Sequence, residues 1–224
     1  MRTVLITGCD RGVGYCLAEE FLRGGWHVYA GQYMPQWPWL DSLHAAYPDA
    51  LTLLPLDVGS IPSVRQAAAQ VEQLDMLVLC AGVAGAENEE GIRTAYRINS
   101  LGAIRMVEAF LPRMQQGLKR LAFVSSEAGV ISIAHRDGGY GYTVSKAMLN
   151  MAVSQMFRTL RPQGFTFRLY HPGWVRSYMQ GVKNTHGRYE PEESAASAYR
   201  QFTQDRAWED DLIMTDICGH LWPW

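Results

Sequence analysis

Thr7-Gly8-Cys9-Asp10-Arg11-Gly12-Val13-Gly14 decides how this sequence folds. The apolar run Thr3-Val4-Leu5-Ile6 precedes it, and a helical stretch opens at Val13. A strand that turns through glycines straight into a helix lets the backbone approach a pyrophosphate, whose charge the helix N-terminus stabilises. Gly8, Arg11, Gly12, Val13 and Gly14 are therefore candidate cofactor contacts; a merely structural strand–helix turn is the plainer alternative. The spacing is T-G-x-x-x-G-x-G, not G-x-G-x-x-G, which points to one branch of dinucleotide-binding enzymes.

Outward from this loop, β-rich runs and helical stretches alternate to the end of the chain. Strands are predicted at 3–7, 27–31, 51–55, 76–80, 120–125, 166–171 and 212–215. Helices are predicted at 13–23, 39–46, 62–73, 92–116, 143–160 and 191–202. Runs that are apolar almost throughout, such as Leu77-Val78-Leu79-Cys80, suit a parallel sheet covered on both faces. Such alternation gives a doubly wound α/β fold, and no linker, repeat or low-complexity segment divides it, so one domain over 1–224 is expected. Pro35-Gln36-Trp37-Pro38-Trp39 reads as a stiff aromatic connection capping the helix after the second strand. The apolar tail Gly219-His220-Leu221-Trp222-Pro223-Trp224 is expected to pack on the body or on a second subunit.

Composition narrows the function classes. A hydrophobic fraction of 48%, a charged fraction of 19% and a formal charge of -2 describe an ordinary globular chain and argue against nucleic acid as the main partner. The four cysteines are scattered without a C-x-x-C pair, so reduced thiols and a cytoplasmic setting are expected. The six histidines form no H-x-x-x-H pattern, and no metal site is expected. No targeting segment is visible, and the longest mostly apolar stretch, 76–86, is about half of what a membrane-spanning helix needs.

Further cofactor contacts are expected where strands end. Asp57, in Leu56-Asp57-Val58 after the third strand, suits either an acceptor for an adenine amino group or a turn or N-cap residue. Cys80-Ala81-Gly82 ends the fourth strand, where small residues let backbone and ribose come close; a simple turn would also use glycine. At the end of the second strand an acid selects NAD and a base NADP. Gln32 and Tyr33 stand there with neither sign of charge. Absence of a repelling carboxylate, together with Arg11, favours NADP(H) over NAD(H); a solvated surface role is the alternative for Arg11.

Tyr142 and Lys146 are four residues apart on a predicted helix and share one face. A free tyrosine titrates near pH 10, so half-ionisation near pH 7 needs roughly 4 kcal/mol. One ammonium about 4 Å away, at an effective dielectric near 20, supplies on the order of 4 kcal/mol. A phenol tuned this way gives a proton to a carbonyl oxygen, or takes one from an alcohol. Lys146 can also reach ribose hydroxyls, and Ser126, in Ser125-Ser126 at a strand end, can hold the substrate oxygen. Singly each has a plainer reading, a half-exposed helix pair and a turn serine.

The ordered set of glycine loop, Leu56-Asp57-Val58, Ala81-Gly82, Asn99, Ser126, Tyr142/Lys146 and His171-Pro172-Gly173-Trp174-Val175 resembles the classical short-chain dehydrogenase/reductase family over nearly the whole chain. The compact length, the gap between Ser126 and Tyr142 and the terminal Pro223-Trp224 are similar to its C-factor-like carbonyl reductase subgroup. The resemblance implies a Rossmann fold with a seven-stranded parallel sheet of order 3-2-1-4-5-6-7. It implies that Asn99 holds a water linking the lysine to solvent, that Pro172, Gly173 and Val175 meet the nicotinamide carboxamide, and that Ser177 replaces a usual threonine. Val58 falls in the adenine-side segment. Leu79-Cys80-Ala81-Gly82 departs from the family's N-N-A-G, so an asparagine thought to brace the sheet is missing.

His135, Tyr140, Trp174, Tyr178 and Met179 are candidate substrate contacts if that topology holds, and ordinary packing beneath loops is their alternative. They point to an apolar or aromatic carbonyl compound or its secondary alcohol. His135-Arg136-Asp137-Gly138-Gly139 reads as a lip to which glycine gives freedom. The leading expectation is an NADP(H)-dependent carbonyl reductase. A cofactor-binding sensor or signalling protein with little turnover is the alternative. An epimerase is disfavoured for want of a C-terminal substrate domain. Pairing through the two long helices would give a homodimer or homotetramer.

Overall fold

The alternation resolves into eight strands and seven α-helices in a computed structural model that describes residues 1–223. In chain order these are β1 (Thr3–Ile6), α1 (Gly12–Arg23), β2 (His27–Gln32), α2 (Trp39–Ala46), β3 (Leu51–Pro55), α3 (Ile61–Ala69) and β4 (Met76–Leu79). They continue with α4 (Glu89–Ala95), α5 (Leu101–Phe110), β5 (Arg120–Val124), α6 (Tyr140–Leu160), β6 (Thr166–His171), α7 (Pro191–Thr203), β7 (Met214–Asp216) and β8 (Leu221–Trp222). The sheet order is β3-β2-β1-β4-β5-β6-β7-β8. Successive residues of a strand point to opposite faces, so β1 sends Leu5 into one core and Val4 and Ile6 into the other. The first core packs Val64 of α3, Met106 and Phe110 of α5 and Leu149 and Val153 of α6. The second packs Leu17 and Phe21 of α1, Leu40 of α2 and Ala198 and Phe202 of α7. This double covering is why the strands read as continuous apolar runs.

The sheet departs from the expected seven parallel strands at one edge. β8 adds to β7 antiparallel, with Thr215 opposite Leu221. The turn between them is organised by Asp216, whose Oδ1 accepts from the N–H groups of Cys218 (2.8 Å) and His220 (2.9 Å). Its Oδ2 accepts from Trp222 Nε1 at 3.1 Å. The tail's predicted packing on the body takes this form as far as Pro223, while Trp224 lies outside the described residues.

The expected helix 92–116 is a rod with a defect. Asn88 caps α4 by accepting from the Gly91 N–H (2.8 Å), and α5 follows, but Tyr96–Ser100 between them forms a single π turn. A π turn fits an extra residue into the helix and often marks a functional position; here it carries Asn99. α6 begins at Tyr140, three residues earlier than predicted, because Gly139 takes a left-handed conformation (φ 72°) at its N-cap.

Candidate active site

In the order 3-2-1-4 the chain reverses direction between β1 and β4, and the crevice beyond their carboxyl ends is where open α/β sheets bind ligands. The glycine loop sits there. Thr7 Oγ1 accepts from the N–H groups of Cys80 (3.0 Å) and Ala81 (2.9 Å), tying β1 to the end of β4. A Cβ on Gly14 would lie 2.2 Å from the Gly8 carbonyl oxygen, and one on Gly8 would lie 2.9 Å from Ala81 Cα. Both glycines are therefore required by close approach of backbone to backbone. No side chain caps α1, and its first turn has no acid. Side chains do cap α3, α4 and α7. The first N–H groups of α1 are thus left for an anion, which is the feature a dinucleotide pyrophosphate needs.

Around this loop the other expected contacts take definite places. Asp10 accepts from the backbone N–H of Tyr33 (2.9 Å) and Met34 (2.7 Å), fixing the chain after Gln32. Arg11 lies with its guanidinium carbon 4.7 Å from the centre of the Trp37 ring, donates from Nε to the Tyr178 carbonyl (2.9 Å) and reaches Met34 Sδ with Nη1. Asp57 spends Oδ1 on the Gly59 N–H (2.7 Å), the turn role left open by the sequence, while Ser60 caps α3. Val58 is buried beneath. Pro172, Gly173, Val175 and Ser177 follow β6, and the Ser177 N–H donates to Val175 O at 2.8 Å. A Cβ on Gly12 would come within 3.8 Å of Ser177 Cβ, so this segment reaches over the glycine loop.

The candidate acid/base residues converge at the carboxyl end of β5. Lys146, 4% exposed, donates from Nζ to the carbonyl of Val124 at 2.9 Å and lies 5.8 Å from the centre of the Tyr142 ring. Tyr142 is hydrogen-bonded to Ser126. Asn99 faces them from the π turn: Oδ1 accepts from the Val83 N–H (2.8 Å), and Nδ2 donates to Val83 O (2.9 Å) and to Ser145 Oγ (2.9 Å). The usual strand-end asparagine is absent, and Cys80 takes its place beside Thr7. A void of about 10 Å³ is lined by Asn99, Val124, Ala81 and Thr7 among others. That is about the smallest space that holds one water.

Electrostatics here differ from the estimate made on the sequence. Burial is the largest influence on both partners: it pushes Tyr142 above its ordinary value and Lys146 down to about 8. Arg136 lowers Tyr142, and Glu127 raises it. Burial outweighs the influences that lower Tyr142, so Lys146 by itself does not bring its titration near neutral pH.

The expected substrate contacts sit higher and more openly. Trp174 (62% exposed) and Tyr140 (65%) stand on the rim, Met179 and His135 are exposed, and His135 Nδ1 lies 3.2 Å from Ile133 O. Tyr178 is drawn away to the glycine-loop side, edge-on to Trp37 (centroids 5.6 Å apart) and Trp39 (5.2 Å). The aromatic connection 35–39 thus covers the cofactor side as well as starting α2.

Glu127 has no role in the expected site and Arg136 only a place in the 135–139 lip, yet both meet the acid/base residues. Ser126 Oγ donates to Glu127 Oε2 at 2.7 Å, Arg136 pairs with Glu127 Oε1, and His171 Nδ1 lies 3.3 Å from Oε2. The available signal was that Glu127 is the one formally charged residue between Arg120 and Arg136, directly after the serine pair. Among the described residues, Asp216, Cys218 and His220 form a group of metal-ligating types within 4.8 Å, but both Asp216 oxygens already serve the β7–β8 turn.

The sequence pattern of the short chain dehydrogenase family matches residues 2–187. C-signal of Myxococcus xanthus is 44% identical over 121 residues, covering 50% of this chain and 72% of that protein. The 1-hydroxy-2-glutathionyl-2-methyl-3-butene dehydrogenase of Rhodococcus sp. (strain AD45) is 30% identical over 207 residues, 88% of each chain. An NADPH-bound carbonyl reductase from chicken fatty liver superposes with a TM-score of 0.86 over 100% of this chain and 99% of its own, at 25% identity. With a dinucleotide loop at the switch point, a buried lysine against β5 and these relatives, the chain belongs to the short-chain dehydrogenase family of oxidoreductases.

Proposed function

We propose that this chain is an NADP(H)-preferring carbonyl reductase that moves a hydride between nicotinamide and a carbonyl compound or secondary alcohol. The observation that carries the reading is the meeting of Ser126, Tyr142 and buried Lys146 at the end of β5, next to a helix N-terminus that no side chain caps. When bound, the nicotinamide supplies or accepts the hydride. Gly8, Gly12, Val13 and Gly14 would offer backbone N–H groups to the cofactor's pyrophosphate, and Asp57, Val58, Cys80, Ala81 and Gly82 would flank the adenosine and ribose. Pro172, Gly173, Val175 and Ser177 would line the nicotinamide side.

Tyr142 donates its phenolic proton to the carbonyl oxygen in reduction and takes it back in oxidation. Ser126 holds that oxygen. Lys146 would orient the ribose of the bound cofactor, and its ammonium beside the site would favour the phenolate that burial opposes. Asn99 and Val124 both line the one-water void, and Lys146 donates to the Val124 carbonyl; a water there would lead from Asn99 toward the lysine. Arg11 supports the NADP(H) preference: its contacts are a carbonyl, a sulfur and an aromatic face, so no carboxylate neutralises it against a 2′-phosphate. The related carbonyl reductase with NADPH bound agrees with this choice. His135, Tyr140 and Trp174 leave an open rim suited to an apolar or aromatic carbonyl. Tyr178 acts on the cofactor side instead.

Screening ketones and aldehydes by loss of reduced-nicotinamide absorbance tests the reading, with turnover expected and Tyr142→Phe inactive yet still binding cofactor. The likeness to the protein named C-signal favours a second reading, a cofactor-binding signalling protein. Tight NADPH binding with no turnover of any carbonyl would select it. Val144, Met148 and Met151 form an exposed stripe at helical spacing on α6, which supports pairing into a homodimer or homotetramer; light scattering decides. Among the described residues no helix is long and apolar enough to cross a membrane. The four cysteines are free in this structure.

A further inference from the structure

Ser126 has one proton to give, and in this structure it gives it to Glu127. Oγ donates to Glu127 Oε2 at 2.7 Å and accepts from the Ala128 N–H at 3.1 Å, so what it turns toward Tyr142 is an acceptor. Glu127 is nearly enclosed, with 12% of its side chain exposed. Its other oxygen is paired with Arg136, on the loop between β5 and α6. From the end of β6, His171 accepts the Glu127 N–H on Nδ1 (3.4 Å). Behind His171 stand Asp216 of β7, opposite it in the sheet, and the Trp222 ring of β8, 5.2 Å away. α6 contributes Tyr142 and, beyond it, Lys146. The Arg136 loop has a second carboxylate anchor: Glu87, after β4, accepts the Gly139 N–H.

We propose that Glu127 is a positioning residue that orients the Ser126 hydroxyl and, with Arg136 as its counter-ion, ties the charge on Tyr142 to the placement of the 134–139 loop. This rests on the carbonyl-reductase reading for its role in turnover, though not for its physical content. Burial opposes the charge on Glu127, but the Ser126 hydroxyl and Arg136 hold it below the usual carboxylate range, so it is anionic at neutral pH. An anion beside Ser126 disfavours tyrosinate, while Arg136 favours it. With the loop in place the two charges offset each other at the phenol; with Arg136 drawn off, the uncompensated carboxylate makes Tyr142 a weaker acid. To polarise a substrate carbonyl, Ser126 must swing its proton away from Glu127, so the same carboxylate also competes with the substrate oxygen.

Glu127→Gln keeps an acceptor for Ser126 and deletes the charge; Arg136→Gln removes the counter-ion from an exposed loop position. Carbon NMR of tyrosine-labelled protein, with Tyr142→Phe identifying the resonance, reads the Tyr142 titration directly. E127Q is expected to move it down by about one pH unit or more, the size of losing one nearby buried charge. R136Q should move it up, and the double variant should fall between the two. The pH limb of kcat/KM for carbonyl reduction should shift in the same order. A Tyr142 titration that stays put in both single variants overturns the proposal. If E127Q folds poorly, R136Q decides alone: an upward shift supports the proposal and no shift overturns it. Shifts in the NMR titration without any turnover by the parent chain would sink the reductase reading and leave this one standing.

Discussion

The two ends of β5 treat buried positive charge in opposite ways. At its start, Arg120 is 2% exposed and Arg168 of β6 beside it 1%. Arg168 donates to both oxygens of Glu209, at 2.6 and 2.5 Å, and to the Gln204 carbonyl at 2.7 Å. Arg120 reaches the Phe202 carbonyl (2.9 Å) and Asp205 (2.8 Å). At the other end, Lys146 has a carbonyl oxygen at 2.9 Å and no carboxylate partner. The arginines are fully matched in charge and hydrogen bonds, and they fasten the segment after α7 to the sheet. The lysine is desolvated without an anion, which leaves its charge available to a ligand. A paired buried cation builds structure, whereas an unpaired one stores electrostatic work for chemistry.

The contrast breaks most decisively at the phenol. Tyr142→Phe should lower kcat by about 10²- to 10⁴-fold, the range of a positioned acid, while fluorescence titration finds NADPH affinity unchanged. A variant that turns over like the parent would remove the acid/base assignment altogether. At the structural end, Arg168→Met strands Glu209 and should cost about 3 kcal/mol, lowering Tm by about 10 °C in a 224-residue chain. Activity per folded molecule should persist, as scanning calorimetry paired with assays at low temperature would reveal.

Lys146→Met should act in the opposite sense on stability. Burial lowers Lys146 to about 8 from an ordinary 10.5, so its protonated form disfavours the folded chain. That penalty is present in full below pH 8 and is relieved as pH rises from about 8 to 10.5. It amounts to roughly 3 kcal/mol, less about 1 kcal/mol for the lost bond to Val124 O. At pH 7 the cofactor-free variant should melt about 4–8 °C above the parent while losing turnover. A lower Tm would show that Lys146 is held by more than its carbonyl. The smallest effect is expected at Arg11: Arg11→Ala should weaken NADPH by about tenfold relative to NADH, roughly 1.4 kcal/mol. Equal loss for both cofactors in matched titrations would return Arg11 to a packing role on Trp37.

Legibility followed regularity. Tyr142, Lys146 and Ser126 stand on a helix face and at a strand end, where spacing alone dictates direction, and the glycine loop is contiguous. Asn99 was visible only through the resemblance, because no helical period foretells a π turn. Tyr178 was expected at the substrate and lies instead on Trp37 and Trp39, since a loop residue's neighbours depend on how two distant connections meet. β8 escaped notice because two residues carry too little pattern, and their pairing depends on Asp216 folding the turn.

By itself, the sequence determined the order of strands and helices along the chain, the double-sided burial of the sheet and the candidates for the acid/base set, all of which follow from local period and short-range spacing. Only the tertiary structure decided how strongly those groups are perturbed and by whom. It buried Lys146 and Tyr142 together, made burial the leading influence on both, and set Glu127 and Arg136 beside Ser126. The reason is physical: desolvation and charge pairing depend on distances between segments remote in the chain, which sequence spacing does not encode.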